Sequence, residues 1–503
     1  MTTYAWVIDQ TKCIGCHACT TACKSENDVP VGVFRTWVKN VDVGTFPAVR
    51  RHFAVLRCNH CADPPCVAIC PVTAMYQRPD GLVDFDEDLC IGCKACMQAC
   101  PYDAIYMDPD TNTAAKCNFC SHRVDQGLLP ACVVVCPVEA LLFGDLDDPT
   151  SKVSRARAAN PVAVRRPEQR TRPMAFYIGA HEATLDPLAA HHAPTYMWAE
   201  RGGDGCVSPT ARPLDRPTAV VSYDIPRQRA WAGKVSSYIW TKSLAAGLAF
   251  VPAVLRIFGR DTSASPFLLR WLAPLAALFF LGVTGALLVA DLKRPERFWT
   301  ILVRPQWRSW LARGSFVITG YGAVLVAWLA ATAAGAERAL DVLAWPVAAL
   351  ALLTAIYTAF LFNQCEGRDL WQSPLLLVHL ALHAPVAAIA AFLIAAPLLG
   401  APGAVAVPPA WIAAGLTLLA ALALGDAFGR HATANAAAAA RALARGRYAR
   451  LFWASLLAGL ALPAALLAAG AVSVFPLVGV LTLAGLWLYG HALVLAGQGP
   501  TIS

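Results

Sequence analysis

Apolar and polar positions follow two different patterns along this chain, and the change comes near residue 235. Before it, apolar residues form short alternating runs broken by Pro, Gly and Asp. Such runs predict short strands at Tyr4 to Ile8, Gly81 to Phe85, Ala104 to Met107 and Met174 to Gly179. After it, Ala, Leu and Val continue without a polar period in stretches of about 20 residues, the length that crosses a bilayer. Eight spans are predicted: Ser236 to Phe258, Pro266 to Ala290, Gly314 to Gly335, Leu340 to Asn363, Ser373 to Leu398, Val405 to Phe428, Arg450 to Gly470 and Val472 to Ala496. Almost no charge interrupts them, which argues against a buried Ala-rich soluble bundle.

The polar part holds the chemistry. Sixteen of the eighteen cysteines lie between Cys13 and Cys136, in four groups of four. The first is Cys13, Cys16, Cys19 and Cys23. The second is Cys58, Cys61, Cys66 and Cys70, and the third Cys90, Cys93, Cys96 and Cys100. Cys117, Cys120, Cys132 and Cys136 form the fourth. The spacing C-x2-C-x2-C-x3-C-P is the bacterial ferredoxin signature, and a cubane needs four thiolates. The count therefore fits four [4Fe–4S] clusters with no ligand left over. Structural zinc would use isolated C-x2-C pairs without the trailing C-x3-C-P. A disulfide framework would need an oxidising compartment and would not repeat one spacing. Cys206 and Cys365 stand alone and are read as bystanders.

In two-cluster ferredoxins the fourth Cys serves the other cluster. Carried over, this pairs group one with group four and group two with group three. The expected ligand sets are Cys13, Cys16, Cys19 with Cys136; Cys117, Cys120, Cys132 with Cys23; Cys58, Cys61, Cys66 with Cys100; and Cys90, Cys93, Cys96 with Cys70. So little apolar core is available per residue that the clusters must hold this part together.

The fold class expected is an α+β tandem ferredoxin-like iron–sulfur domain over 1–180, then a Pro/Arg-rich linker over 181–235, then an all-α bundle of eight transmembrane helices over 236–503. The linker histidines His181, His191 and His192 read as solvated. The net charge of +8 does not point to nucleic acid, because the cations sit in two loops. Lys293, Arg294, Arg297, Arg304, Arg308 and Arg313 lie between spans two and three. Arg430, Arg441, Arg445 and Arg447 lie between spans six and seven. The positive-inside rule then puts these loops, both termini and the cluster domain on the cytoplasmic side of the inner membrane. The first residues, MTTYAWVIDQTKC, show no export signal.

Residues 1 to about 180 resemble the four-cluster electron-transfer subunit of the dimethyl sulfoxide and polysulfide reductase class. The resemblance is carried by CNHCADPPCVAICPVTAMY (Cys58 to Tyr76) and CPVEALLFGDLDDPTSKVS (Cys136 to Ser154). The last 270 or so residues resemble the NrfD-type anchor of polysulfide reductase complexes, through DLKRPERFW (Asp291 to Trp299), RSWLARGSF (Arg308 to Phe316) and YTAFLFNQCEGRDLWQSPLL (Tyr357 to Leu376). The resemblance implies an anchor without haem that binds a quinone, such as menaquinone, near its iron–sulfur partner. It also implies a separate catalytic subunit containing molybdopterin (Mo or W).

The residues agree on haem: His379 and His383 are four apart on one helix, and His431 and His491 are expected near opposite membrane faces. Ionisable groups within spans by default suggest function. The quinone candidates are Lys242 beside Tyr238 and Trp240, Asp291 ending span two, and Tyr357 with Asn363 ending span four. Glu366 and Asp369 follow, then His379 and His383 in span five and Asp426 ending span six. Asp291, Arg294 and Glu366 could equally bridge loops, and Lys242 could lock helices. Two rival readings remain: the electron-transfer module of a membrane-bound nickel–iron hydrogenase, and an ion-translocating module using Lys242, His379 and Asp426. Protein purified anaerobically is expected to carry about sixteen iron atoms per chain, four per cubane. An iron assay checks this, and zinc in place of iron would contradict it.

Overall fold

Every side chain from Ala5 to Ile8 is fully buried, so strand β1 (Tyr4–Asp9) is covered on both faces. The computed structural model describes residues 2–44, 47–192, 199–201, 207–209, 219–259, 267–399, 408–469 and 472–503. In it, β1 lies at the centre of a four-stranded sheet. Leu141–Asp145 runs antiparallel to it on one side and Ala175–Ile178 parallel on the other. Trp6 and Ile8 join the main core of the cluster domain, while Ala5 and Val7 pack on Val153, Phe176 and Ile178.

A second sheet has as its main hairpin β2 (Thr36–Val43) and β3 (Arg50–Arg57), paired in continuous register from Thr36 with Arg57 to Val43 with Arg50. The sequence pattern does not reveal this hairpin, because Lys39 and Arg57 interrupt the alternation. Both are nonetheless fully buried. The stretch read as a linker contributes to the same sheet. Ala219–Tyr223 lies antiparallel on β2, and Ala190–His192 lies parallel on that strand in turn. Ala190, Ala219 and Val221 bury against Val41 as a satellite core, and that burial turns the connector into structure. His181 caps the short helix Glu182–Leu185 through its Nδ1, which accepts from the Ala183 N–H at 3.2 Å. Cys206 lies outside the described residues.

Among the described residues, eight helices are long and apolar enough to cross a membrane: Gly233–Ile257, Phe267–Asp291, Trp310–Ala333, Glu337–Asn363, Leu375–Leu398, Pro409–Phe428, Ala449–Ala468 and Phe475–Gly497. The first is the central one, with 78% of its apolar window buried against neighbours. It packs on the second, fourth, fifth and eighth. The seventh contains a π-helical turn, Leu457–Ala461, which loosens the ladder just before Pro463. There Gly459 meets Gly485 of the eighth span backbone to backbone, so neither position accommodates a Cβ.

The cluster domain sits on the ends of these helices through backbone contacts. Lys293 and Arg294 donate their N–H groups to the carbonyls of Gly92 and Ile91, Gln306 donates to Pro71, and Gly367 to Ala99. Gly92 has φ of +68° and lies against Lys293, so it needs glycine both for conformation and for space. Two arginines of the basic loop are taken up by this seat. Arg297 donates to the carbonyls of Glu87 (2.7 Å) and Cys90 (3.1 Å), and Arg294 to that of Thr111 (2.9 Å).

One placement differs from the sequence reading. His491 is bonded to Ser236 near the start of the first span (3.0 Å). His431 lies two residues before Thr433, whose hydroxyl donates to Asp369 (2.5 Å) in the docking loop, the connection between the fourth and fifth spans that carries Gly367. The two histidines therefore share the cluster-domain side. They are not on opposite faces, because the sixth and eighth spans both end there.

Asp369 also accepts from Arg166 at 2.9 Å and from Gln169 at 2.9 Å. The Arg166 and Asp369 side chains are only 3% and 6% exposed. Asp369→Ala would leave the buried Arg166 guanidinium with the half-exposed Glu168 and the Pro101 carbonyl, a loss of about 3–5 kcal/mol. Thermal unfolding of detergent-solubilised protein is expected to show the cluster domain melting earlier than in the unaltered chain.

Candidate functional site

The C-x2-C-x2-C loops turn through left-handed residues, Gly15 (φ 69°) and His17 (φ 60°) in one motif, Gly92 (φ 68°) and Lys94 (φ 64°) in another. Short helices follow at Ala18–Glu26 and Ala95–Ala99. The result turns the thiols inward. Cys13, Cys16, Cys19 and Cys136 line one small cavity. Cys23, Cys117, Cys120 and Cys132 line a second, and Cys70, Cys90, Cys93 and Cys96 a third. Cys58, Cys61, Cys66 and Cys100 are mutual neighbours around a fourth centre. Each set draws its fourth thiol from a distant motif.

The donor chemistry suits a cluster better than a single ion. Among the described residues no three His, Cys, Asp or Glu side chains converge as a single ion requires; the thiols instead surround a volume. Backbone N–H groups donate to sulfur at Cys58 (3.5 Å, from His60), Cys70 (3.5 Å, from Met75), Cys90 (3.4 Å, from Ala114) and Cys136 (3.2 Å, from Ala140). Burial pushes the Cys19 thiol up to about 11, and those of Cys100 and Cys117 up to about 12. Such thiols stay protonated unless a metal displaces the proton. The sets therefore fit iron–sulfur cubanes.

Directly beneath Cys93 lies an apolar cavity of about 340 Å³ between the first four spans. Val235 and Tyr238 come from the first span, and Gly282, Gly285 and Val289 from the second. Ser315 and Ile318 come from the third, Tyr357 and Leu361 from the fourth. Gly282 and Gly285 face open space, with nothing within 4 Å of an added Cβ. The roof is Cys93 itself and Trp231. The Trp231 indole N–H donates to the Cys93 carbonyl at 3.2 Å, and its ring stacks on Trp371 at 5.7 Å. Asp291 lies at the same end and pairs with Lys94, the neighbour of Cys93, at 2.8 Å.

The profile described as "Polysulphide reductase, NrfD" matches residues 226–500. The chain belongs to the NrfD family. Two profiles described as "4Fe-4S dicluster domain" match residues 5–71 and 49–146. The N-terminal region is 43% identical to the B subunit of tetrathionate reductase from Salmonella typhimurium over 201 residues, 39% of this chain and 80% of that protein. It is 41% identical to the B component of polysulfide reductase from Wolinella succinogenes over 178 residues, 35% of this chain and 93% of that protein. It is also 38% identical to the arsenate respiratory reductase iron-sulfur subunit ArrB of a Shewanella species, over 34% of this chain and 94% of that protein. One polypeptide thus joins an iron–sulfur electron-transfer subunit to an NrfD-type membrane domain.

Within that NrfD-type domain the quinone candidates divide. Asp291 and Tyr357 line the cavity; Lys242, Glu366 and His379 do not. Lys242 lies behind it: its ammonium donates to Thr358 Oγ1 (2.6 Å) and the Ala355 carbonyl (2.9 Å), 4.6 Å from the Tyr357 ring centroid. Glu366 is in the docking loop, where burial raises its carboxyl above the usual range, with Asp63 adding to the effect. His379 stacks on Tyr489 of the eighth span at 4.5 Å. Tyr489 donates to Asp426 at 3.5 Å, and Ser373 donates to the same carboxylate at 2.5 Å. This group belongs to the fifth, sixth and eighth spans, none of which lines the cavity. Trp231 and Lys94 escape a sequence reading, because one precedes the first span and the other sits in a motif read only for its thiols. Their signals are an aromatic residue beside the membrane boundary and a cation inside a cluster loop. Cys136→Ser is expected to alter the EPR signal of the cluster held by Cys13, Cys16 and Cys19. Change confined to the cluster of Cys117, Cys120 and Cys132 would contradict the exchanged pairing.

Proposed function

We propose that this chain carries electrons between a membrane quinone pool, menaquinone included, and a separate molybdopterin-containing catalytic subunit. The observation that carries the reading is the shared residue: Cys93 belongs to one thiol set and also roofs the apolar cavity. The ligands are the four thiol sets given above, all sixteen cysteines. Bound there, [4Fe–4S] clusters supply one-electron relay.

The chain's own residues do the rest. The apolar walls accept a quinone ring and the start of its tail, and the two glycines leave width for it. Quinol oxidation releases two electrons and two protons. In this reading the Asp291 carboxylate, held by Lys94, takes the two quinol protons one after the other and passes each to water at the helix ends, while the Tyr357 hydroxyl hydrogen-bonds the other ring oxygen. Trp231 closes the space between ring and thiol loop against water. Arg430, Arg441, Arg445 and Arg447 support a cytoplasmic position for the cluster domain. The catalytic partner is drawn from the relatives, which are subunits of tetrathionate, polysulfide and arsenate reductases.

Proton movement across the membrane is a second reading. Its support is the buried series of Asp426, Tyr489 and His379, with both ring nitrogens of His379 unpartnered. Proton release on both sides of proteoliposomes separates the two.

Tyr357→Phe and Asp291→Asn are each expected to lower quinol oxidation in vesicles by about 10²-fold. His379→Ala is expected to leave the affinity for a quinone analogue normal. Unchanged oxidation in both cavity variants would place the quinone elsewhere.

A further inference from the structure

Arg57 ends strand β3, and its guanidinium lies wholly inside the cluster domain. Its Nη1 donates to Cys132 Sγ at 3.2 Å, so its bonded partner is a sulfur. The cation lies over the Trp6 ring, 4.1 Å from the centroid. Nε and Nη2 are buried without a hydrogen-bond partner. Arg57 lines the same cavity as Cys23, Cys117, Cys120 and Cys132, and its charge also reaches Cys19 of the adjoining set. A buried guanidinium with two idle N–H groups is costly unless negative charge and acceptors compensate it. A cluster in this cavity offers both.

We propose that Arg57 sets the reduction potential of the cluster held by Cys23, Cys117, Cys120 and Cys132, and to a smaller extent that of its neighbour held by Cys13, Cys16, Cys19 and Cys136. The proposal rests on the ligand assignment above. Reduction adds one negative charge to a cubane. A fixed positive charge in a low-dielectric interior stabilises the more negative state, and N–H to sulfur bonds act in the same direction. Both raise the potential. At the membrane end the comparable cation, Lys94, is neutralised by Asp291 at 2.8 Å, so the Cys93 set lacks this bias. Trp6 fixes the guanidinium plane, which makes Arg57 a positioning and charge-setting residue. The Arg57 site is then where a first electron rests while a second crosses from the membrane.

The test is an EPR-monitored redox titration of the full chain, purified anaerobically, as Arg57→Met, Arg57→Gln and Arg57→Lys, with iron counted in each. Met and Gln are expected to lower one midpoint by at least 59 mV, a tenfold change for a one-electron couple, and Lys to restore most of it. The signal that moves is expected to be the one that Cys132→Ser alters, with the signal assigned to the Cys93 set unmoved. Wild-type midpoints in Arg57→Met with full iron would overturn the proposal. If the Met variant does not assemble, equal midpoints in the Gln and Lys variants overturn the role of charge. Fewer than four cluster signals in the unaltered chain would instead overturn the ligand assignment.

Discussion

The cluster domain depends on thiols from distant motifs meeting around common centres. Apart from β2 and β3 its strands have at most six residues, and most of the thiols lie inside its core. Cys13 meets Cys136, Cys117 meets Cys23, and the two inner groups exchange in the same way. Each exchange closes a loop, so the cluster sites act as the crosslinks of this domain. The β1 sheet and the β2–β3 hairpin pack around those crosslinks. A domain built this way presents rigid loops, and rigid loops are what the membrane helices grip.

The grip is mostly backbone to backbone. Gly92, Ile91, Pro71 and Ala99 offer carbonyls to the loops that follow the second and fourth spans. That geometry places Cys93 directly over the apolar cavity, with Trp231 bridging the two. The buried pairing of Arg166 with Asp369 adds a directional constraint beside it. Position, and not a flexible tether, brings the thiol loop and the apolar cavity together.

The thiol sets were legible in the sequence because spacing along the chain is itself the signal. The eight apolar stretches were legible for the same reason, to within a few residues at each end. The β2–β3 hairpin was not, since Lys39 and Arg57 look like surface residues and lie inside. The intramembrane polar residues were visible one by one, but not their grouping. Only helix packing separates Asp291 and Tyr357, at the cavity, from His379, which stacks on Tyr489 of the eighth span. Lys94 and Trp231 were hidden because their roles exist only across the seam between the two regions.

The order of strands in the second sheet bears on biogenesis. Strand β2 gains its outer neighbour only from Ala219–Tyr223, ten residues before the first membrane helix begins at Gly233. On the ribosome, the hairpin must wait with one edge bare until that late strand emerges, just as the hydrophobic segment behind it is claimed by the insertion machinery. The order of the chain itself therefore sets the closing of this sheet and the start of the first membrane helix side by side in synthesis.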